Sequence, residues 1–272
     1  MKRALENQNE KKTYCSEFNR IPMKLNILNE VKTKVFLATI LALGVLFTSC
    51  VKDHFEVIPS DKVTTTDFSA SGISQLAVSD IFHVYVRFSE TEESVRIEAN
   101  ENLHSFIEVN QTGDRLSVGL EKDTNISGTP VLNVYVTTAS LSEVHSEGAA
   151  SVEFYDALLN DQFQVELIGA SYFKGSLETG IVNAYIEGAS KMEIDGSCTT
   201  FQIDAIGASE MTGFDFVSDN LNADLDGGSE ISLSVQQKLD VTARGASKVY
   251  YKGNGVIENQ DLKDASEIIN VN

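Results

Sequence analysis

A chain of 272 residues can hold one large β domain or two small ones, and 42% hydrophobic residues with only three Pro exclude a linker-like or collagen-like chain. Forty acidic residues against 21 basic give a formal net charge of −19, and no basic stripe follows residue 34, which excludes a nucleic-acid partner. Absence of Trp and abundance of Val, Ile, Ser, Thr, Asn, Asp and Gly favour many short strands joined by polar turns.

The first element is an uncharged apolar run from Val35 to Thr48, preceded by Lys24, Lys32 and Lys34. A helix that crosses a bilayer needs about 20 apolar residues, whereas a secretory signal needs only about 7 to 15 after a positive segment. Residues 1–49 therefore predict a signal peptide, the alternative being a buried helix. Met23 offers a second start of more ordinary length, and residues 1–22 are assigned no fold. The end of the run, Leu46-Phe47-Thr48-Ser49-Cys50, resembles the lipobox of bacterial lipoproteins. That resemblance implies cleavage before Cys50, acylation of its thiol and attachment to a membrane. Residues 1–49 are net basic, so the mature part is more acidic than the precursor.

Residues 50–66 predict a polar, lipidated tether. Residues 67–140 predict an N-terminal β segment with strands near Phe82–Phe88, Ser94–Glu98, Phe106–Val109, Arg115–Leu120 and Val131–Thr137, and a turn at Gln111-Thr112-Gly113-Asp114. This segment is expected to cap the C-terminal half of the chain, since an exposed end strand recruits other chains.

Residues 141–272 carry an internal repeat. Gly148-Ala149-Ala150, Gly169-Ala170-Ser171, Gly188-Ala189-Ser190, Gly207-Ala208-Ser209, Gly227-Gly228-Ser229, Gly245-Ala246-Ser247 and a degenerate Asp264-Ala265-Ser266 begin 21, 19, 19, 20, 18 and 19 residues apart. Apolar residues alternate on both sides of each triplet, as in Val165, Leu167, Gly169, Ser171 and Phe173, and period two means strand. If the pleat runs through the triplet, Gly and Ser share the buried face and Ala points outward; a bend at Gly would break that assignment. One unit cannot bury both its faces, but stacked units share a core. The expected fold is all-β, a right-handed parallel β-helix (β-solenoid) with an irregular N-terminal β cap; an antiparallel sandwich is the alternative.

The lipobox, the Phe82-to-Leu120 segment, the Gly-Ala-Ser triplets and Tyr250-Tyr251-Lys252-Gly253 together resemble the bacterial envelope family of putative auto-transporter adhesins, head GIN domain. The resemblance spans roughly residues 67–252, and residues 254–272 depart from it by adding one coil. It implies the right-handed β-helix and an adhesin role, with no catalytic residue to carry over.

Chemical motifs are absent: there is no His-Glu-x-x-His, Cys-x-x-Cys, Gly-x-Ser-x-Gly or phosphate-binding Gly-x-x-x-x-Gly-Lys. His54, His83, His104 and His145 stand singly, and Cys198 has no neighbour that would activate it as a nucleophile. Three residues before each triplet stand His145, Glu166, Tyr185, Asp204, Asp224, Thr242 and Asp261, which a regular solenoid would bring into one outward column. Within it Asp204 and Asp224 become vertical neighbours, weak candidates for a Ca²⁺ site or an acid–base pair, although a solvated acidic face suffices to explain them. No cofactor is expected.

The sequence thus points to a non-enzymatic lipoprotein of the cell envelope, placed in the outer membrane, that offers a β-helix face to an unknown protein or glycan ligand. A polysaccharide-active enzyme, using Asp204 and Asp224 beside Tyr172 and Tyr185, and a periplasmic assembly or stress accessory are the alternatives.

Overall fold

A computed structural model describes residues 56–272. The signal peptide, Cys50 and His54 lie outside the described residues. Short strands come first: β1 (Glu56–Val57), β2 (Val63–Phe68), β3 (Gln75–Val78), β4 (His83–Phe88) and β5 (Ser94–Asn100), then a 3-10 turn at Glu101–Phe106. After it come β6 (Ile107–Thr112), β7 (Arg115–Leu120), β8 (Asn125–Ile126), β9 (Leu132–Thr138), β10 (Glu143–Gly148) and β11 (Ser151–Phe154). Long strands carry the repeats: β12 (Leu158–Gly169), β13 (Tyr172–Gly188), β14 (Lys191–Gly207), β15 (Glu210–Gly227) and β16 (Glu230–Ala243). The last are β17 (Lys248–Lys252), β18 (Val256–Leu262) and β19 (Glu267–Asn270).

The repeats stack as parallel coils of a β-solenoid. Before each triplet the order of pairing is β7, β3, β10, β12, β13, β14, β15, β16 and β18; after it, the order is β9, β4, β11, β13, β14, β15, β16, β17 and β19. Period-two alternation drives this, because alternate residues such as Val165 and Leu167, Phe201 and Ile203, or Leu239 and Val241 are fully buried along the shared core. Aromatic rings fill the interior between coils, with Phe154 edge-on to Phe173 at 5.0 Å and Phe201 edge-on to Phe216 at 5.4 Å.

The chain bends at each triplet. Gly148, Gly169, Gly188, Gly207, Gly227 and Gly245 all have φ between 77° and 90°, where an L side chain is strained. Pleating therefore stops at Gly: Gly and Ala lie at an outer corner, and only Ser turns inward, with Ser171, Ser190, Ser209, Ser229 and Ser247 buried. The close approach that small residues permit is between stacked corners of neighbouring coils, along the stack. From the second triplet on, residue two donates its N–H to the carbonyl of the preceding corner Gly, as Ala170 does to Gly148, Ala189 to Gly169 and Ala208 to Gly188 at 2.7, 2.7 and 2.8 Å. Each buried Ser hydroxyl donates mainly within its own coil, three residues back: Ser190 to Glu187, Ser209 to Ile206 and Ser247 to Arg244 at 2.8, 2.8 and 2.9 Å. This closes the turn and satisfies a polar group that would otherwise be costly to bury.

At both ends of the corner column Asp replaces Gly. Asp80 (φ 64°) sits below Gly148 and Asp264 (φ 60°) above Gly245, a conformation that Asp tolerates better than most residues. The Asp80 carboxylate accepts the Leu120 N–H at 2.8 Å and the Ser79 hydroxyl at 2.9 Å, and Asp264 accepts the Gly245 N–H at 3.3 Å.

The N-terminal segment both extends the stack and closes it. β3 and β4 form a coil that sits, out of sequence order, between the β7/β9 level and the β10/β11 level. The cap consists of antiparallel strands: β6 covers β7, β5 covers β9, and β2 covers β5. Residues 63–66 belong to β2, so the fold begins inside the stretch expected to be tether. Among the described residues no helix is long and apolar enough to cross a membrane.

Candidate binding face

Strand register decides what the outer face presents. His145, Glu166, Tyr185, Asp204, Asp224, Thr242 and Asp261 are direct register partners from coil to coil, as the repeat spacing predicts. Two residues earlier runs a second outward column: Glu143, Gln164, Asn183, Gln202, Asn222 and Asp240. Sequence reasoning missed it, although the same alignment shifted by two residues, one pleat, displays it.

Between these columns the surface is dished. A depression of about 330 Å³ is lined by Gln164, Glu166, Asn183, Tyr185, Gln202 and Asp204 over a floor of Val165 and Ala184. Another of about 300 Å³ shares Gln202 and Asp204 with it and continues to Asn222, Asp224 and Asp240. Nearer the cap, a third of about 360 Å³ lies where Ala77 and Ser117 leave room beside His145, Glu147 and Arg115.

Local partners set the chemistry of each side chain. His145 Nδ1 lies 2.9 Å from Glu166 Oε2 and its Nε2 is 3.9 Å from Glu147. The Tyr185 hydroxyl donates to Glu187 at 2.7 Å; that bond to an anion, with burial, raises its pKa above the ordinary phenol value. Asp204 is held above the ordinary carboxylate range by partial burial first and by the Asp224 charge second. Two carboxylates alone make a poor cation cage. Among the described residues no group of three or more His, Cys, Asp or Glu is placed to hold a metal ion.

The remaining candidates separate. Tyr172 stands after a corner, in register with Ser151 and Lys191, and donates its hydroxyl to Glu193 at 2.8 Å, so it does not share a column with Tyr185. His83 pairs with Ser151 at 2.6 Å, and His104 Nε2 lies 3.1 Å from the Thr64 carbonyl. Cys198 is buried with its Sγ 3.4 Å from Ser218 Oγ, and burial pushes its thiol up to about 11, the opposite of what a nucleophile needs.

Residues 73–255 match the family model described as putative auto-transporter adhesin, head GIN domain. The chain belongs to this family. Residues beyond the matched head GIN region supply β18 and β19, one further coil on the stack. Solved structures share the fold. A putative adhesin from Bacteroides fragilis NCTC 9343 is 18% identical, with TM-score 0.75 over 79% of this chain and all of that one. A putative adhesin from Parabacteroides merdae ATCC 43184 is also 18% identical, with TM-score 0.62 over 80% of this chain and 99% of that one. A Parabacteroides distasonis ATCC 8503 protein described as a putative lipid binding protein is 14% identical, with TM-score 0.65 over 80% and 100% of the two chains. No curated protein matches.

Proposed function

We propose that the protein is a non-enzymatic binding module of the bacterial outer membrane, anchored through a lipid on Cys50, that presents its two-column face to a ligand outside the membrane. One observation carries this: polar side chains repeat in register along consecutive coils, a geometry suited to extended contact. Membership of a putative adhesin family supports the reading, as does the lipobox-like Leu46-to-Cys50 segment. A single reaction centre would instead need convergent groups at one point.

Protease shaving of intact cells tests it. The β-solenoid should be clipped or released from whole cells, and Cys50→Ser should move the protein from the membrane to the soluble fraction. Protection from protease in intact cells would reject surface display and favour a periplasmic accessory.

The Asp204/Asp224 pair favours one second reading, a polysaccharide-active enzyme, because the raised Asp204 carboxyl beside a second carboxylate could hold a proton for transfer. Turnover of a polysaccharide that disappears in both Asp204→Asn and Asp224→Asn would establish it over simple binding.

A further inference from the structure

The face carries a continuous row of unused hydrogen-bonding groups. Gln164, Asn183, Gln202 and Asn222 occupy one register position on four successive coils. Among the described residues none of these four side-chain amides has a hydrogen-bond partner, whereas Asn259, in the same column at its end, donates to Asp240. A primary amide offers two donors and an acceptor with two lone pairs. Alongside run Tyr185, Asp204 and Asp224, and the two depressions that share Gln202 and Asp204 join the four coils into one trough.

The chemistry of the trough narrows its ligand. No Lys or Arg lines it, and its carboxylates repel anions, so acidic polymers are disfavoured. Its apolar floor, Val165, Ala184, Ile203 and Ala223, is buried beneath the polar columns and leaves no socket for a peptide side chain. Sugar hydroxyls donate and accept together, as the amides do, and the Tyr185 ring can face the C–H side of a sugar. Coils recur about every 4.8 Å, close to the advance of one residue in an extended glycan. Resting on the reading of the protein as a binding module, we propose that this trough binds an uncharged linear glycan along the stack, one sugar per coil.

Isothermal calorimetry with the purified protein tests this against α- and β-linked gluco-, manno-, xylo- and galacto-oligosaccharides from dimers to hexamers. Affinity should rise with length up to the tetramer and then flatten. Gln202→Ala and Asn183→Ala should each weaken binding about tenfold with an unchanged unfolding midpoint, and Thr212→Ala, after the corner, should leave binding unchanged. Sugar binding that survives both amide variants would overturn the trough while leaving the module intact. A Lys-rich peptide that binds in place of any sugar, and is lost in Gln202→Ala, would replace the glycan with a basic peptide. A protein that binds none of these sugars yet binds envelope or matrix proteins would overturn the glycan alone; binding to neither class would overturn the module reading with it.

Discussion

The carbonyl oxygen of Gly188 lies so close beneath Gly207 that a β-carbon on Gly207 would stand 2.8 Å from it, closer than real side chains come. Gly207 also has φ 89°, so Ala there meets both backbone strain and a carbonyl that is already bonded to Ala208. Gly207→Ala should cost at least about 2 kcal/mol in urea unfolding. Gly228 supplies the control, because it occupies the Ala position of its triplet, has no positive φ, and would place its β-carbon 3.9 Å from the nearest atom. Gly228→Ala should be neutral or stabilise by up to about 1 kcal/mol.

Ser209 closes its corner from inside. Its hydroxyl donates to the Ile206 carbonyl at 2.8 Å and lies 3.2 Å from the Ile186 carbonyl one coil below. Ser209→Ala should lower stability by about 1 to 2 kcal/mol, read as a lower denaturant midpoint at unchanged slope. Ser266, in the degenerate last triplet, has no such partner, and Ser266→Ala should change little.

Cys198 should be chemically silent in the folded protein. With its thiol pushed up to about 11 and its side chain buried, iodoacetamide at pH 8 should leave it unmodified for hours, as read by peptide mass mapping. Labelling should become rapid once denaturant unfolds the coils.

Two outward carboxylates should respond to pH with opposite sign. Asp204 has a raised pKa, from burial and then Asp224, so its protonated form favours folding: that contribution is full below the ordinary value of 3.8 and is lost as pH rises through the folded value. Asp204→Asn should therefore stabilise the protein at pH 7, with the difference vanishing in acid. Glu193 is held low by hydrogen bonds from Lys191 and then Tyr172, so its contribution is present above the ordinary value of 4.5 and is lost as pH falls through the folded one. Glu193→Gln should destabilise at pH 7 and converge with the parent in acid. Thermal unfolding from pH 3 to 7 reads both.

These responses show where the sequence was informative. The corner repeats Gly because only Gly accepts both the positive φ and the carbonyl from the coil below, and that double demand made the stack and the His145-to-Asp261 column legible. The β3/β4 coil escaped because Asp80 replaces Gly at its corner, and because a long-range insertion between β7/β9 and β10/β11 leaves no local period. Tyr172 and Tyr185 looked paired because only their spacing was visible; both lie in β13, but Tyr172 follows one corner and Tyr185 precedes the next, so they fall in separate columns. The amide column was present as pattern, but uncharged Gln and Asn draw less notice than paired Asp.

The binding face exists only if successive coils keep their order and register, and distances along one column measure that directly. With Cys15, Cys50 and Cys198 changed to Ser, spin labels on Glu166→Cys paired in turn with Asp224→Cys, Thr242→Cys and Asp261→Cys should give electron–electron distances near ~14, ~19 and ~24 Å, one strand spacing more per coil. Distances that fail to grow coil by coil would contradict the stack, and with it the face.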